Sequence, residues 1–307
     1  MRRMPHLPSL PADTRQPVRY LELLSRAVAH IGDHLAGDLG TEALAREAAM
    51  SPYHFHRMFR AYFGTTVAGY VTWRRLQRAC ELLGRDGASV LDVALAVGYE
   101  SAQALAKAMR RELDTTPSAV RCGSAPQWQR LFERRAAAVG EGNDLALKPQ
   151  FVELPPLDVL TATGRGMDDG DMGRAAQQGF AELWPAVEAA GLRACVQRCV
   201  AILPDEPQGR NDQQARMWCG AVFDAPRPSI ALQGSLAWQQ LPGGRHAVFT
   251  HIGPYGELHR CWSAIYAQWL PATGYALRDT PPFEHYVNDP REVPPEQCRT
   301  DIHMPIQ

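Results

Sequence analysis

Residues 39–64, LGTEALAREAAMSPYHFHRMFRAYFG, and residues 90–113, VLDVALAVGYESAQALAKAMRREL, are two copies of one pattern. In the first copy Leu44, Ala45 and Ala48 form the apolar stripe of a short helix, and Ala49-Met50 turns the chain. Ser51 then caps a second helix with Pro52 at its first position, where the missing N–H would have no intrahelical partner anyway. Phe55, Phe59 and Tyr62 are spaced to face inward. The second copy places Val90, Val93, Ala94 and Val97 in the supporting helix, Gly98 at the turn and Ser101 as cap, with Leu105, Met109 and Leu113 as the buried stripe. Each copy reads as a helix-turn-helix.

The outward residues are Tyr53, His56, Arg57 and Arg60 in the first copy and Gln103, Lys107, Arg110 and Arg111 in the second. Such side chains match base edges and phosphates in a major groove. A single amphipathic pair with a basic outer face is equally at home in an all-α domain that binds nothing; the duplication moves the reading toward DNA. Between the copies Val67, Tyr70, Val71, Trp73, Leu76, Ala79, Leu82 and Leu83 are spaced for one helix, capped near Thr65-Thr66 and closed by Gly84. About eighteen residues at about 1.5 Å each make a rod of roughly 27 Å. That length suits two recognition helices set near one DNA turn, roughly 34 Å, apart.

A chain of 307 residues has room for two domains, and 45% hydrophobic with 21% charged residues fits a globular protein. The net charge of −1 conceals an asymmetry: residues 1–147 carry an excess of +4, and residues 148–307 carry −5. The basic part holds the recognition helices. Seven cysteines with no CxxC pair exclude a disulfide framework and a zinc ribbon. Cys195 and Cys199 share a face if RACVQRCVAIL is a strand, which would suit a redox sensor; a buried thiol is the commoner use of such residues. The first seventeen residues lack an apolar core for export, and no apolar run reaches the roughly 18 residues of a membrane span. The expected location is the cytoplasm, on the nucleoid.

After Arg121 a stretch with one possible short helix over 127–139 reads as a linker over 122–147. Beyond it alternation replaces the helical period. Strand 159–164, helix 180–190, a strand ending near Pro204-Asp205-Glu206-Pro207 and strand 217–223 are followed by strand 246–252, helix 258–270, a strand ending near Asn288-Asp289-Pro290 and strand 300–304. An extra strand over 236–241 leads into the second set. The expected fold is therefore two domains: an N-terminal all-α double helix-turn-helix over 17–121, and over 148–307 a C-terminal α+β domain of two pseudo-symmetric β-α-β-β units. Two units side by side, each with one helix, leave a groove between them as the natural ligand site.

Residues 20–121, above all GYESAQALAKAMRRELDTTPSAVR, resemble the DNA-binding domain of AraC/XylS-family transcription regulators, particularly the small stress and multidrug-resistance activators. The resemblance implies base or phosphate contacts by Tyr53, His56 and Arg57, and by Ala102, Gln103, Ala104 and Lys107. With alanine at 102 and 104, the second helix offers fewer hydrogen bonds, so discrimination is expected to lean on the first. HIGPYGELHRCWSAIYAQWLPATGYALRDTPPFEHYVNDP at 251–290 resembles the GyrI-like ligand-binding domain. It implies a small-molecule pocket between the two units.

Alternation along PFEHYVN puts Glu284 and Tyr286 on one strand face. A carboxylate among aromatic rings is a counter-ion for a greasy cation, and the rings add cation–π attraction. By the resemblance Tyr255 lines the pocket, and Trp184 is read as the facing wall; Trp262, Tyr266 and Trp269, at helical spacing, read as core. Some GyrI-like proteins are hydrolases, which leaves Glu284 a general base as an alternative. No Ser/His/Asp set or phosphate loop is visible, and His246, His251, His259, His285 and His303 are scattered, so no catalytic residues, metal or cofactor are expected. The expected function is a promoter-binding transcription regulator, not an enzyme, controlled by a small hydrophobic or cationic effector, with double-stranded DNA and RNA polymerase as partners. A C-terminal domain that binds a protein partner instead is the other alternative.

Overall fold

The computed structural model describes residues 20–84, 87–123, 147–168, 171–204, 207 and 211–307. They fall into two units, one helical and one built on a sheet, divided between residues 123 and 147. The expected short helix over 127–139 lies outside the described residues.

The helices of the first unit are α1 (Tyr20–Asp33), α2 (Thr41–Glu47), α3 (Pro52–Phe63), α4 (Val67–Leu83), α5 (Val90–Ala96), α6 (Ala102–Leu113) and α7 (Pro117–Arg121). Side-chain caps set where α3 to α7 begin. Ser51, Thr66, Ser101 and Thr116 each accept a backbone N–H of the first turn, at 3.4, 3.1, 3.1 and 3.2 Å. Ser89 and Asp92 form a reciprocal capping box ahead of α5. The long spacer α4 packs against α1, α3, α5, α6 and α7. Its Leu76, Ala79, Cys80 and Leu83 join Val93, Ala94, Val97, Leu105 and Met109 in one core. Phe55 and Phe59 are fully buried as expected, but Tyr62 is only half-buried. Phe63 carries the ring contacts to the core, with Phe59 at 4.5 Å and Tyr70 at 5.2 Å, and Tyr62 meets the Phe63 ring at 5.2 Å.

The second unit runs β1 (Gln150–Leu154), β2 (Leu157–Arg165), α8 (Gly173–Ala189), β3 (Val196–Ile202), β4 (Arg216–Phe223), β5 (Ala237–Leu241), β6 (Gly244–Ile252), α9 (Leu258–Ala264), a π-helical turn (Ile265–Trp269), α10 (Leu270–Thr273), β7 (Phe283–Tyr286) and β8 (Arg299–Pro305). The strands form one antiparallel sheet in the order β1-β6-β8-β7-β3-β4-β2-β5. The β-α-β-β order occurs twice, and the copies meet where β3 pairs with β7. Their lead strands are exchanged: β1, before the first copy, pairs with β6 of the second, and β5, before the second, pairs with β2 of the first.

Helix α8 starts seven residues before the expected 180, and β1 was not anticipated at all. The early turns of α8 press closely on the sheet, because a Cβ at Gly179 would stand 2.6 Å from the Cys219 sulfur. The other helix packs through Trp269, whose ring meets Phe249 of β6 edge-on at 4.9 Å.

Candidate DNA interface and effector groove

On α6, Gln103, Lys107, Arg110 and Arg111 are exposed, while Leu105, Met109 and Leu113 are buried. The four polar residues fall at helical spacing along one stripe. Ala102 and Ala104 at the capped end are half-buried, small enough to let a duplex approach. Arg111 also holds Glu112 at 2.8 Å, an exposed pair that water and salt weaken.

Helix α3 differs. Tyr53, Arg57 and Arg60 are partly exposed, and the Arg57 guanidinium lies over the Tyr53 ring at 4.8 Å. His56, expected on the outer face, is only 2% exposed, and His54 is buried too. The covered arc of α3 spans His54, Phe55, His56, Met58 and Phe59, wider than the aromatic stripe alone. A buried imidazole is not available to a base edge.

In the second unit the register sets Cys199 opposite Tyr286 and Ala201 opposite Glu284, so these four side chains share one sheet face. Glu284 is 5% exposed, and burial of a carboxylate is costly unless donors satisfy it. The Trp262 indole donates to its Oε1 at 2.7 Å, and the Tyr286 hydroxyl donates to Oε2 at 2.8 Å. The shared face of Glu284 and Tyr286 therefore has a direct geometric expression. Burial first, then the Glu284 charge, raise the Tyr286 hydroxyl well above the usual phenol range, so it stays a donor.

Around them lies an aromatic ring set. Tyr286 meets Tyr255 at 5.1 Å and Phe180 at 5.9 Å. Tyr255, its hydroxyl also raised by burial and then by the neighbouring Cys298 thiol, follows the left-handed Gly253 that turns the chain after β6. Trp184 stacks behind Phe180 at 6.1 Å, and the Arg193 guanidinium covers its ring at 3.8 Å. Phe180 is thus the ring that faces Tyr286, and sequence reasoning passed over it. Trp262, read as core from its spacing, is the other omission; nothing local signals a bond to a residue 22 positions away.

Cys195 and Cys199 do not stand on one strand face. Cys195 closes a 3₁₀ turn before β3, and a register shift between Val196 and Arg198 breaks the alternation that would have paired it with Cys199. Burial pushes the Cys199 thiol up to about 12, the opposite of a reactive thiolate.

Three of the histidines read as scattered come together on the far sheet face. His303 stacks on Phe283 at 4.4 Å, with His246 and His285 at 6.0 and 6.2 Å. Burial, then His246, His285 and Arg198, bring His303 down to about 3. Among the described residues no group of three or more His, Cys, Asp or Glu is disposed to hold a metal. None of the described helices is long and apolar enough to cross a membrane.

A duplicated helix-turn-helix ahead of a doubled β-α-β-β sheet defines a DNA-binding transcription regulator with a small-molecule-binding domain. Residues 147–307 match the GyrI-like small molecule binding domain and residues 44–122 match a helix-turn-helix domain. The chain belongs to the AraC family of regulators and carries a GyrI-like C-terminal domain. Regulatory protein SoxS of Escherichia coli is 30% identical over 97 residues, which cover 32% of this chain and 91% of SoxS. Regulatory protein PocR of Salmonella typhimurium is 31% identical over 108 residues, 35% of this chain; the match spans only 36% of PocR's length. The crystal structure of the EcmrR C-terminal domain aligns with 53% of this chain and 99% of its own, at 20% identity and a TM-score of 0.39.

Proposed function

We propose that a small, hydrophobic or cationic effector occupies the groove over Glu284 and controls how this regulator engages its promoter. The observation that carries the reading is a buried carboxylate on central strand β7, ringed by aromatic side chains from that strand, from α8 and from the turn after β6. Glu284 is the counter-ion, Tyr286 holds one of its oxygens, and Tyr255 and Trp184 with Phe180 form the aromatic lining. Tyr53, Arg57 and Arg60 of α3, and Ala102, Gln103, Lys107, Arg110 and Arg111 of α6, contact bases and phosphates of double-stranded promoter DNA. The effector shifts regulation by its differential affinity for two states of the C-terminal domain, and transcription follows through promoter engagement or RNA polymerase. The protein works in the cytoplasm.

The protein senses without turnover. His251 stands 3.3 Å from the Cys261 sulfur, but burial raises that thiol rather than activating it. The decisive experiment is calorimetric titration of the full chain with benzyltriethylammonium. Parent protein is expected to bind and Glu284→Gln to lose at least tenfold, about 1.4 kcal/mol. Equal binding by the two would remove the counter-ion, and product formation would replace sensing with catalysis.

A further inference from the structure

We infer that Trp262 guards this groove by occupying the carboxylate when no ligand is present: its indole N–H holds Glu284, and a bound cation takes that place. The inference rests on the reading of Glu284 as effector counter-ion and adds what the ligand must displace.

The two donors to Glu284 are held differently. Tyr286 lies two residues along the same strand, so β7 keeps its hydroxyl near the carboxylate whatever the helices do. Trp262 reaches the same carboxylate from α9, and displacement of this side chain leaves the Tyr286 bond in place. A distance of 2.7 Å to a carboxylate oxygen is that of a charge-assisted bond. The helix around Trp262 supplies local give. Its start is docked by the Cys261 sulfur against the His251 ring at 3.3 Å, and its far end by Trp269 against Phe249. Between these anchors α9 widens into the π-helical turn, a distortion concentrated at functional sites. Trp262 stacks on Tyr266 at 6.2 Å across that junction. The indole therefore sits one helical turn ahead of the irregular segment, between Cys261 and Trp269.

This arrangement makes the groove discriminate charge. A cation that displaces the indole replaces the lost N–H with its own field. A neutral aromatic molecule of the same shape leaves a buried carboxylate one donor short, the situation that a polar site rejects most strongly. Removing the N–H while keeping an aromatic ring, as in Trp262→Phe, takes that bond from the ligand-free carboxylate, and any ligand then gains what it previously had to break.

The test titrates benzyltriethylammonium and its neutral isostere (2,2-diethylbutyl)benzene into full-length parent, Trp262→Phe and Glu284→Gln. Trp262→Phe is expected to bind both compounds about tenfold more tightly than parent, because neither then has an N–H bond to break, with the cation remaining the tighter ligand in each protein. In parent protein the Trp262 indole ¹H–¹⁵N resonance, assigned by its loss in Trp262→Tyr, is expected to leave its hydrogen-bonded position at saturation; this readout needs no stable Phe variant. Weaker or unchanged cation binding by Trp262→Phe, or an indole resonance that stays put, overturns the displacement while leaving Glu284 as counter-ion. Parent protein that binds no cation, or Glu284→Gln that binds equally, overturns both.

Discussion

At the turn of the first helix-turn-helix Ala49 holds a φ of 50°, and at the matching turn of the second Gly98 holds 84°. The same left-handed corner is made once by a residue that tolerates it poorly and once by the residue suited to it. Gly98 is also hemmed in: a Cβ there would stand 2.5 Å from the Leu35 carbonyl, beside the Arg75 guanidinium that donates to that carbonyl at 2.9 Å. Ala49 is exposed. The outer faces diverge as well. The exposed supporting-helix positions Glu42 and Arg46 become Leu91 and Leu95 in the second copy, while recognition helix α3 buries two histidines and α6 shows four polar residues. Duplication has kept the corner and the core and freed the surfaces.

Exchanging the corners tests this first. Gly98→Ala meets both a left-handed φ and a backbone wall, so it is expected to destabilise the helical unit by about 3 kcal/mol in denaturant unfolding. A loss below about 1 kcal/mol would mean that the second corner relaxes as easily as the first. Next come the recognition faces. Arg57→Ala is expected to cost about 2 kcal/mol on a site selected from random DNA and much less on bulk DNA, whereas Lys107→Ala should weaken both alike and lower the salt slope by about 1. Equal losses in all four measurements would erase the difference between α3 and α6.

The two sheet copies differ as well. On the far face the first copy presents Val200, Ile202 and Val222, where the second presents His246, His285 and His303. All three imidazoles are held below the usual histidine value, His246 and His285 chiefly by burial and His303 to about 3. A depressed histidine is neutral in the fold, so the unfolded chain binds more protons between about 3 and about 6.5. The stability it supports is complete above about 6.5 and declines as pH falls toward 3. For His303 alone, going from pH 7 to 5.5 is expected to cost about 1.3 kcal/mol, read as the amount by which His303→Phe reduces the fall in unfolding free energy. Arg198 and Arg278 lie beside these rings and oppose their protonation, while Asp301 favours it. The smallest effect is the reverse exchange: Ala49→Gly relieves about 1–2 kcal/mol of left-handed strain but loosens the unfolded chain, for a net gain of about 0.5 kcal/mol.

Local chemistry made much of this readable in advance. Ser51, Thr66 and Ser101 cap the helices they were expected to cap, because a cap needs only its own first turn. Gly98, the α4 spacer and the doubled β-α-β-β order were visible for the same reason. What escaped was non-local. Strand β1 is a five-residue edge segment that exists through pairing with β6, about a hundred residues later. The first turns of α8, GRAAQQG, carry little apolar period and are helical because small residues fit against the sheet. His56 obeys a helical wheel that says nothing of how wide an arc is covered. Of the candidate groove, Glu284 and Tyr286 were legible from alternation, whereas Trp262 and Phe180 required the assembled sheet.

The swapped lead strands tie the two sheet copies into a clasp. Cutting the chain between β4 and β5 would give each fragment the other's edge strand, so neither piece holds all the strands of its own half. Such fragments are expected to fold only as a complementing pair. In the intact chain the seam beneath Glu284 is bridged at both rims of the sheet, which makes the domain cooperate as one body when that seam is disturbed.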